Sequence, residues 1–137
     1  MFGGLKKALS NASDRFDALV NEEEMQAVVA ACVLVAAADG KIEDSEVEAA
    51  FSGIAKHESL SGFKPAKIRA VFESDLKLIN GDKALAEEVL YDRVSTTIHD
   101  KIARIRVLGI ARQIAEADGI VAKEEQAVLD KIRRITA

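Results

Sequence analysis

The sequence contains few of the residues on which disulfide-bonded and β-rich domains depend. Its 137 residues include one cysteine, one proline and no tryptophan, and aromatic residues make up 4%. The single cysteine, Cys32, excludes a disulfide within the chain and is typical of a protein in a reducing compartment. The shortage of aromatic residues and of turn-forming proline argues against an all-β domain.

The chain also lacks a long apolar run and an excess of positive charge. No stretch of about 18 apolar residues occurs, which argues against a transmembrane segment. The beginning of the sequence has no long apolar core of the kind found in secretory signals. The net charge of −4 disfavours nucleic acid, which is bound by concentrated basic surface. We therefore expect a cytoplasmic protein that binds no nucleic acid.

The residues that are abundant predict an all-α fold. Alanine, leucine, lysine and glutamate favour helices, and apolar residues recur at the helical spacing of three or four along most of the chain. We predict a single compact domain of six to seven helices over residues 22–137, preceded by an amphipathic or flexible arm over residues 1–21. The main predicted helices cover residues 22–39, 44–57, 65–80, 82–94, 98–118 and 123–135.

Two of these helices, over residues 22–39 and 98–118, carry apolar residues on more than one face. A helix that is apolar around most of its circumference is usually buried. We therefore expect both helices to form the centre of the core. The residues predicted to be buried there are Val29, Cys32, Val33, Ile105, Leu108 and Ala111.

The same motif follows both of these apolar helices. The pattern Ala-Asp-Gly-x-Ile/Val-x-x-x-Glu occupies residues 38–46 and again residues 117–125, an offset of 79 residues. A glycine at the end of a helix is typical of a left-handed C-terminal cap. The repeat predicts an internal duplication, in which two helical hairpins face each other around a pseudo-two-fold axis.

The doubled acidic motif resembles the tellurite-resistance TerB family, from about Glu22 to the C-terminus. The resemblance implies an all-helical domain with two pseudo-symmetric halves and a role in chemical-stress responses near membrane proteins. It also implies a divalent-metal site at the motif acids, which are Asp39, Glu46, Asp118 and Glu125. The resemblance further suggests a protein partner, for which a membrane protein of the same resistance system is a candidate. It also suggests that the protein can be peripheral at the inner face of the membrane.

The chemistry of the two turns supports a cation site independently. Asp39 and Asp118 precede the helix-ending glycines, where unpaired carbonyl groups already make the helix end negative. A hard cation would accept the carbonyl and carboxylate oxygens as ligands, which favours calcium, magnesium or manganese. Additional acids of the turns that could take part are Glu43, Asp44, Glu116 and Glu124. The second turn has Ala122 and Lys123 where the first has Glu43 and Asp44, so the halves should not bind equally.

A structural role for the same acids is the alternative. Glu46 and Glu125 suit the third position of the following helix, and the aspartates suit capping of its N–H groups. The chain would then be a protein–protein adaptor that uses its basic residues or its N-terminal arm for contacts. Enzymatic activity is not expected under either interpretation, because the acids have no accompanying base or nucleophile.

Overall fold

The computed structural model describes residues 20–40, 42–117 and 119–137, and within these ranges the fold is all-helical and forms a single domain. A short 3-10 turn at Glu58–Leu60 separates the second helix from the third. The six α-helices of these ranges are α1 (Glu22–Ala36), α2 (Asp44–Ala55), α3 (Pro65–Gly81), α4 (Lys83–Thr97), α5 (Lys101–Ala115) and α6 (Lys123–Ile135). The N-terminal arm predicted over residues 1–21 lies almost wholly outside the described residues.

Side-chain caps explain where three of the helices begin. Asn21, Asp82 and Asp100 each accept a hydrogen bond from the N–H group three residues later, at 2.8, 3.1 and 2.7 Å. Such caps satisfy one of the unpaired donors at a helix start. Pro65 begins α3, where its missing N–H costs nothing. The fourth helix was expected to end at residue 94, and this boundary is wrong because α4 continues to Thr97.

Helix α1 is the centre of the domain. It packs against all five of the other helices, which form a closed ring around it in the order α2, α3, α4, α6, α5 and back to α2. A helix surrounded in this way has no face in water, which explains why the apolar residues of α1 extend around its circumference. Val29, Cys32 and Val33 are fully buried, as predicted.

The second apolar helix is not central, which corrects part of the predicted core. Helix α5 is a member of the ring, and its main packing partners are α1, α2 and α6. Its Ala111 is buried, but Ile105 is 58% exposed and Leu108 is only partly buried. The buried face of α5 is instead formed by Ala103, Val107, Ile110, Ala111 and Ala115. Apolar spacing in the sequence is compatible with two faces of this helix, and the packing selects one of them.

The predicted duplication is present in the backbone. Helices α1 and α5 are both 15 residues long and begin 79 residues apart, at Glu22 and Lys101. Among the described residues, Gly40 and Gly119 are the two glycines with positive φ, at 93° and 91°. Three backbone hydrogen bonds of the first turn recur 79 residues later. The bond from Ala37 N to Val33 O matches Glu116 N to Arg112 O, and the bond from Gly40 N to Ala37 O matches Gly119 N to Glu116 O. The bond from Val47 N to Glu43 O matches Gln126 N to Ala122 O. The two hairpins, α1–α2 and α5–α6, therefore have equivalent geometry.

The two halves are also joined by a charged contact. Arg106 of α5 donates to Glu24 of α1 at 2.7 Å, and the two side chains are 12% and 10% exposed. Burial raises the pKa of Glu24 and the Arg106 guanidinium opposes that rise.

None of the helices in the described ranges is long and apolar enough to cross a bilayer.

Candidate functional site

The two acidic turns meet at one cavity. Its volume is about 360 Å³, and it lies where the C-terminal ends of α1 and α5 meet the first turns of α2 and α6. The residues that line it are Val35, Ala36, Asp39, Glu46, Ala49, Ala50, Ile114, Ala115, Ala117, Ala122 and Glu125. We refer to this space as the turn cavity. Because both turns contribute, the turn cavity exists only when the two hairpins are packed together.

Three of the four predicted metal-site acids line the turn cavity. Asp39 and Glu46 come from the first half and Glu125 from the second. Asp39 and Glu46 are exposed, and Glu125 is half-buried. The fourth, Asp118, lies outside the described residues. The tertiary structure thus brings together acids that are far apart in the sequence.

The cavity wall follows the internal duplication. Val35 and Ile114 are 79 residues apart, as are Glu46 and Glu125, and each pair lines the same space. The small alanine side chains between them leave the space open and keep its wall apolar.

Glu125 has a capping role as well. Its Oε1 accepts a hydrogen bond from the backbone N–H of Ala122 at 2.9 Å, which is the arrangement of a capping-box glutamate. Glu46 occupies the equivalent third position of α2, whose N-cap residue is Glu43. The N-cap residues are therefore Glu43 and Ala122, and Asp39 stands four residues before the first of them.

The additional acids proposed from the sequence do not line the turn cavity. Glu43, Asp44 and Glu124 are exposed at the starts of α2 and α6. Glu116 accepts a hydrogen bond from Arg112 at 2.9 Å on the surface of α5. Of the seven candidate acids in the described part of the chain, three therefore line the turn cavity and four do not.

A lysine beside the first turn was not found by sequence reasoning. A Cβ built on Gly40 would lie 3.8 Å from Nζ of Lys83, the first residue of α4, whereas at Gly119 it would meet no described atom within 4 Å. The first turn thus has an ammonium group close to the negative end of α1, where a cation is stabilising. Gly40 and Lys83 are 43 residues apart in the sequence, so no local sequence pattern predicts that they are close in space.

Three of the basic residues on α5 and α6 have partners within the protein. Arg106 is buried against Glu24, and Arg112 pairs with Glu116. Lys131 lies over the ring of Tyr91, with Nζ 4.1 Å from the ring centre. These contacts reduce the positive charge that the region can offer to an acidic partner.

The donors of the turn cavity match a hard cation in chemistry, since all of them are oxygen atoms. In the described part of the chain, however, no group of three or more histidine, cysteine, aspartate or glutamate side chains is close enough to hold a metal ion. A complete ligand set would therefore need Asp118, backbone carbonyls or a closer approach of the two turns.

Comparison with models of known protein families gives a match over most of the chain. The family model described as tellurite resistance protein TerB matches residues 25–136, which include nearly all of both hairpins and every residue that lines the turn cavity. No curated protein and no solved structure matches the chain.

Proposed function

The chain belongs to the tellurite resistance protein TerB family, and on that premise we propose that it is a non-enzymatic protein that binds a divalent cation, or acts as a scaffold, in a tellurite or chemical-stress resistance system. The observation that carries this proposal is the convergence of Asp39, Glu46 and Glu125 on one cavity. The cation would be calcium, magnesium or manganese, because the donors are oxygens. Bound there, it would link the two hairpins and set their relative position.

Electrostatics gives a reason for binding to couple to the fold. Carboxylates from the two halves repel each other across the turn cavity, and Asp39 also lies at the negative end of α1. A divalent ion would relieve both effects and stabilise the folded state. The stabilisation is RT ln(1 + [L]/Kd), about 2.7 kcal/mol when the ion is present at roughly one hundred times Kd.

Calorimetric titration and thermal melts test the proposal. The chelator-treated chain is titrated with calcium, magnesium, manganese and zinc, and its melting temperature is measured with and without each ion. We expect one of the first three ions to raise the melting temperature, and Asp39→Asn with Asp118→Asn to abolish the response. The matched control is Glu43→Gln with Glu124→Gln, which neutralises two acids of the same turns that do not line the cavity. A parent chain that responds to none of these ions would rule out cation binding.

The capping hydrogen bond of Glu125 favours a second function, a protein–protein adaptor in which the acids of the turns serve only as helix caps. This function predicts that Glu125→Ala, which removes the acceptor of the Ala122 N–H group, lowers the stability of the metal-free chain by about 0.5–2 kcal/mol. The cation-binding function predicts the opposite, an equal or greater stability of the metal-free variant, because repulsion is removed. Urea unfolding in the presence of a chelator separates the two.

The proposed partner is another protein, and a membrane protein of the same resistance system is one candidate. The proposed location is the cytoplasm, with attachment to the inner face of the membrane when that partner is bound. Pull-down of the full chain from cells exposed to tellurite, with the Asp39→Asn, Asp118→Asn variant alongside, tests whether partner binding depends on the acidic turns. Loss of the partner in the variant would support an ion-dependent scaffold.

A further inference from the structure

The wall of the turn cavity is mostly apolar. Eight of the eleven residues that line it are alanine, valine or isoleucine, and the other three are the acids described above. Val35, Ala50 and Ala115 are buried, whereas Ala49 and Ala117 are exposed. The apolar wall therefore extends from the core of the domain to its surface. A bare ion would leave this wall in contact with water, whereas an apolar side chain would remove it from water, which is favourable.

The charges around the turn cavity are predominantly negative. Residues 39–46 and 116–125 contain eight acids and two lysines. Two further basic groups are close to them, namely Lys83 beside the first turn and Arg112, which is paired with Glu116. The C-terminal ends of α1 and α5, which carry partial negative charge, lie at the same cavity. With all of these groups counted, the region has an excess of negative charge that complements a basic partner.

The acids come from different sides of the cavity. Glu46 belongs to the first hairpin and Glu125 to the second, and no three acids of the described part are close enough to hold one metal ion. A guanidinium group is larger than a metal ion and presents five N–H donors in a planar fork, which suits carboxylates. The stems of arginine and lysine are aliphatic and lie along apolar surface while the charged group stays with polar partners. A basic side chain therefore matches both the acids and the wall.

The order of residues along α2 favours a segment of a protein over a small free amine. Glu46 is exposed, and Ala50, one helical turn later, is buried in the wall of the cavity. A bound segment can place a basic side chain at Glu46 and a neighbouring apolar side chain against Ala50, whereas a free amine offers no second side chain. Membrane proteins supply such segments, because their cytoplasmic loops carry an excess of lysine and arginine.

We propose that the turn cavity binds a basic segment of a partner protein, which places an apolar side chain against the wall and an adjacent arginine or lysine between Glu46 and Glu125. The proposal rests on the scaffold role proposed above, and it does not require a bound divalent ion. Because the two acids belong to different hairpins, the basic side chain would connect the two halves of the domain. An ion and the segment would compete for the same carboxylates.

Titration of the isotope-labelled full chain with designed peptides tests the proposal. The probe is a peptide with the core Leu-Arg-Leu in a Gly-Ser background, added in the presence of a chelator, and backbone amide signals are followed by NMR. We expect the shifts to be confined to the turn cavity, at residues such as Ala36, Ala49, Ala115 and Ala122. Matched peptides with Leu-Glu-Leu or Ser-Arg-Ser should bind more weakly, because one lacks the positive charge and the other lacks the apolar side chains.

Two variants of the chain separate the contribution of the charge from that of the cavity. Glu46→Gln should weaken binding of the Leu-Arg-Leu peptide about two- to fivefold, the effect of one exposed ion pair. Ala49→Phe should abolish the shifts, because Ala49 lines the cavity and a ring there would fill part of it. The controls are Glu43→Gln and Ala70→Phe, which change exposed residues that do not line the cavity. Both should bind like the parent chain, and thermal melts show that all four variants fold.

Several results would overturn the proposal. They are the absence of shifts at millimolar peptide, equal binding of either matched peptide, unchanged affinity in Ala49→Phe, and shifts at another surface, such as the groove between Tyr91 and Lys131. Spermidine that binds at the same residues as tightly as the peptide would indicate a small organic cation instead. Calorimetry with divalent ions is read separately: a chain that binds an ion but not the peptide keeps the cation site and excludes the segment. A chain that binds the peptide but no ion does the reverse.

Discussion

Gly40 and Gly119 adopt the same backbone conformation at equivalent points of the two hairpins, with φ values of 93° and 91°. Each donates its N–H group to the carbonyl three residues earlier, to Ala37 at 3.0 Å and to Glu116 at 2.8 Å. The two turns therefore reverse the chain in the same way. Because the hairpins pack against each other, this common geometry directs both turns to the turn cavity.

Replacing either glycine with alanine should destabilise the protein. A side chain at positive φ is strained by about 1–3 kcal/mol. The two losses should be similar, because the Cβ at position 40 would be in ordinary contact with the Lys83 ammonium at 3.8 Å and the Cβ at position 119 would meet no described atom within 4 Å. Urea unfolding of both variants measures the two losses. Gly109→Ala is the control: Gly109 is helical and its Cβ would be in open space, so alanine should stabilise by about 0.5–1 kcal/mol.

Helix α4 offers a matched pair of leucines for testing the core. Leu90 is fully buried and Leu85 is 57% exposed. We expect Leu90→Ala to cost about 2–5 kcal/mol, since it removes buried methyl groups and leaves a cavity. Leu85→Ala should change the free energy of unfolding by no more than about 0.5 kcal/mol. Equal losses in the two variants would contradict the packing of α4 against α1.

Removing Arg93, the partner of the buried Asp75, should make the stability of the protein depend on pH. Arg93 donates to both carboxylate oxygens of Asp75, at 2.8 and 3.0 Å, and the Asp75 side chain is 2% exposed. Burial raises the pKa of Asp75, and Arg93 opposes the rise. Arg93→Met leaves a buried carboxylate without its partner, and we expect a loss of about 3–5 kcal/mol at neutral pH.

The direction of the pH effect follows from the raised pKa. An acid whose pKa is higher in the folded state than in the unfolded state binds protons more readily when folded, so stability falls as pH rises through that interval. In Arg93→Met the pKa of Asp75 should rise further. The stability deficit of the variant should therefore be smaller at pH 4 than at pH 7, as measured by urea unfolding. Adding Asp75→Asn should remove this pH dependence, and a deficit that is the same at both pH values would contradict the assignment.

Cys32 should be chemically inert in the folded protein. Its side chain is fully buried on the central helix, and burial raises the pKa of the thiol, so little of the reactive thiolate forms. We expect the native chain to react with a thiol reagent only as fast as the domain opens. The reaction rate measured over increasing urea should follow the unfolding equilibrium, and fast labelling in the absence of urea would show that α1 is not enclosed by the ring.

The candidate site could be predicted only in part. The doubled motif identified the acids, because a duplication leaves a constant offset between residues such as Glu46 and Glu125. It did not distinguish the acids that line the turn cavity from Glu43, Asp44, Glu116 and Glu124. All of them are aspartate or glutamate, and they differ only in their positions relative to the cavity, which the packing decides. It also could not reveal Lys83, whose proximity to Gly40 arises from the packing of α4.

The sequence by itself determined most of the helices and the internal repeat, because helix formation depends on interactions over a few residues. Helix α6 covers the predicted residues 123–135, and Asp82 caps α4. The predicted start of the fifth helix at residue 98 is wrong, because Asp100 caps α5 and the helix begins at Lys101. Only the tertiary structure decided which of the two apolar helices is central. Both α1 and α5 have apolar residues at helical spacing, but α1 packs against five helices and α5 against three. Burial depends on what surrounds a helix, and so Ile105 is exposed although the local pattern around it resembles that of a core helix.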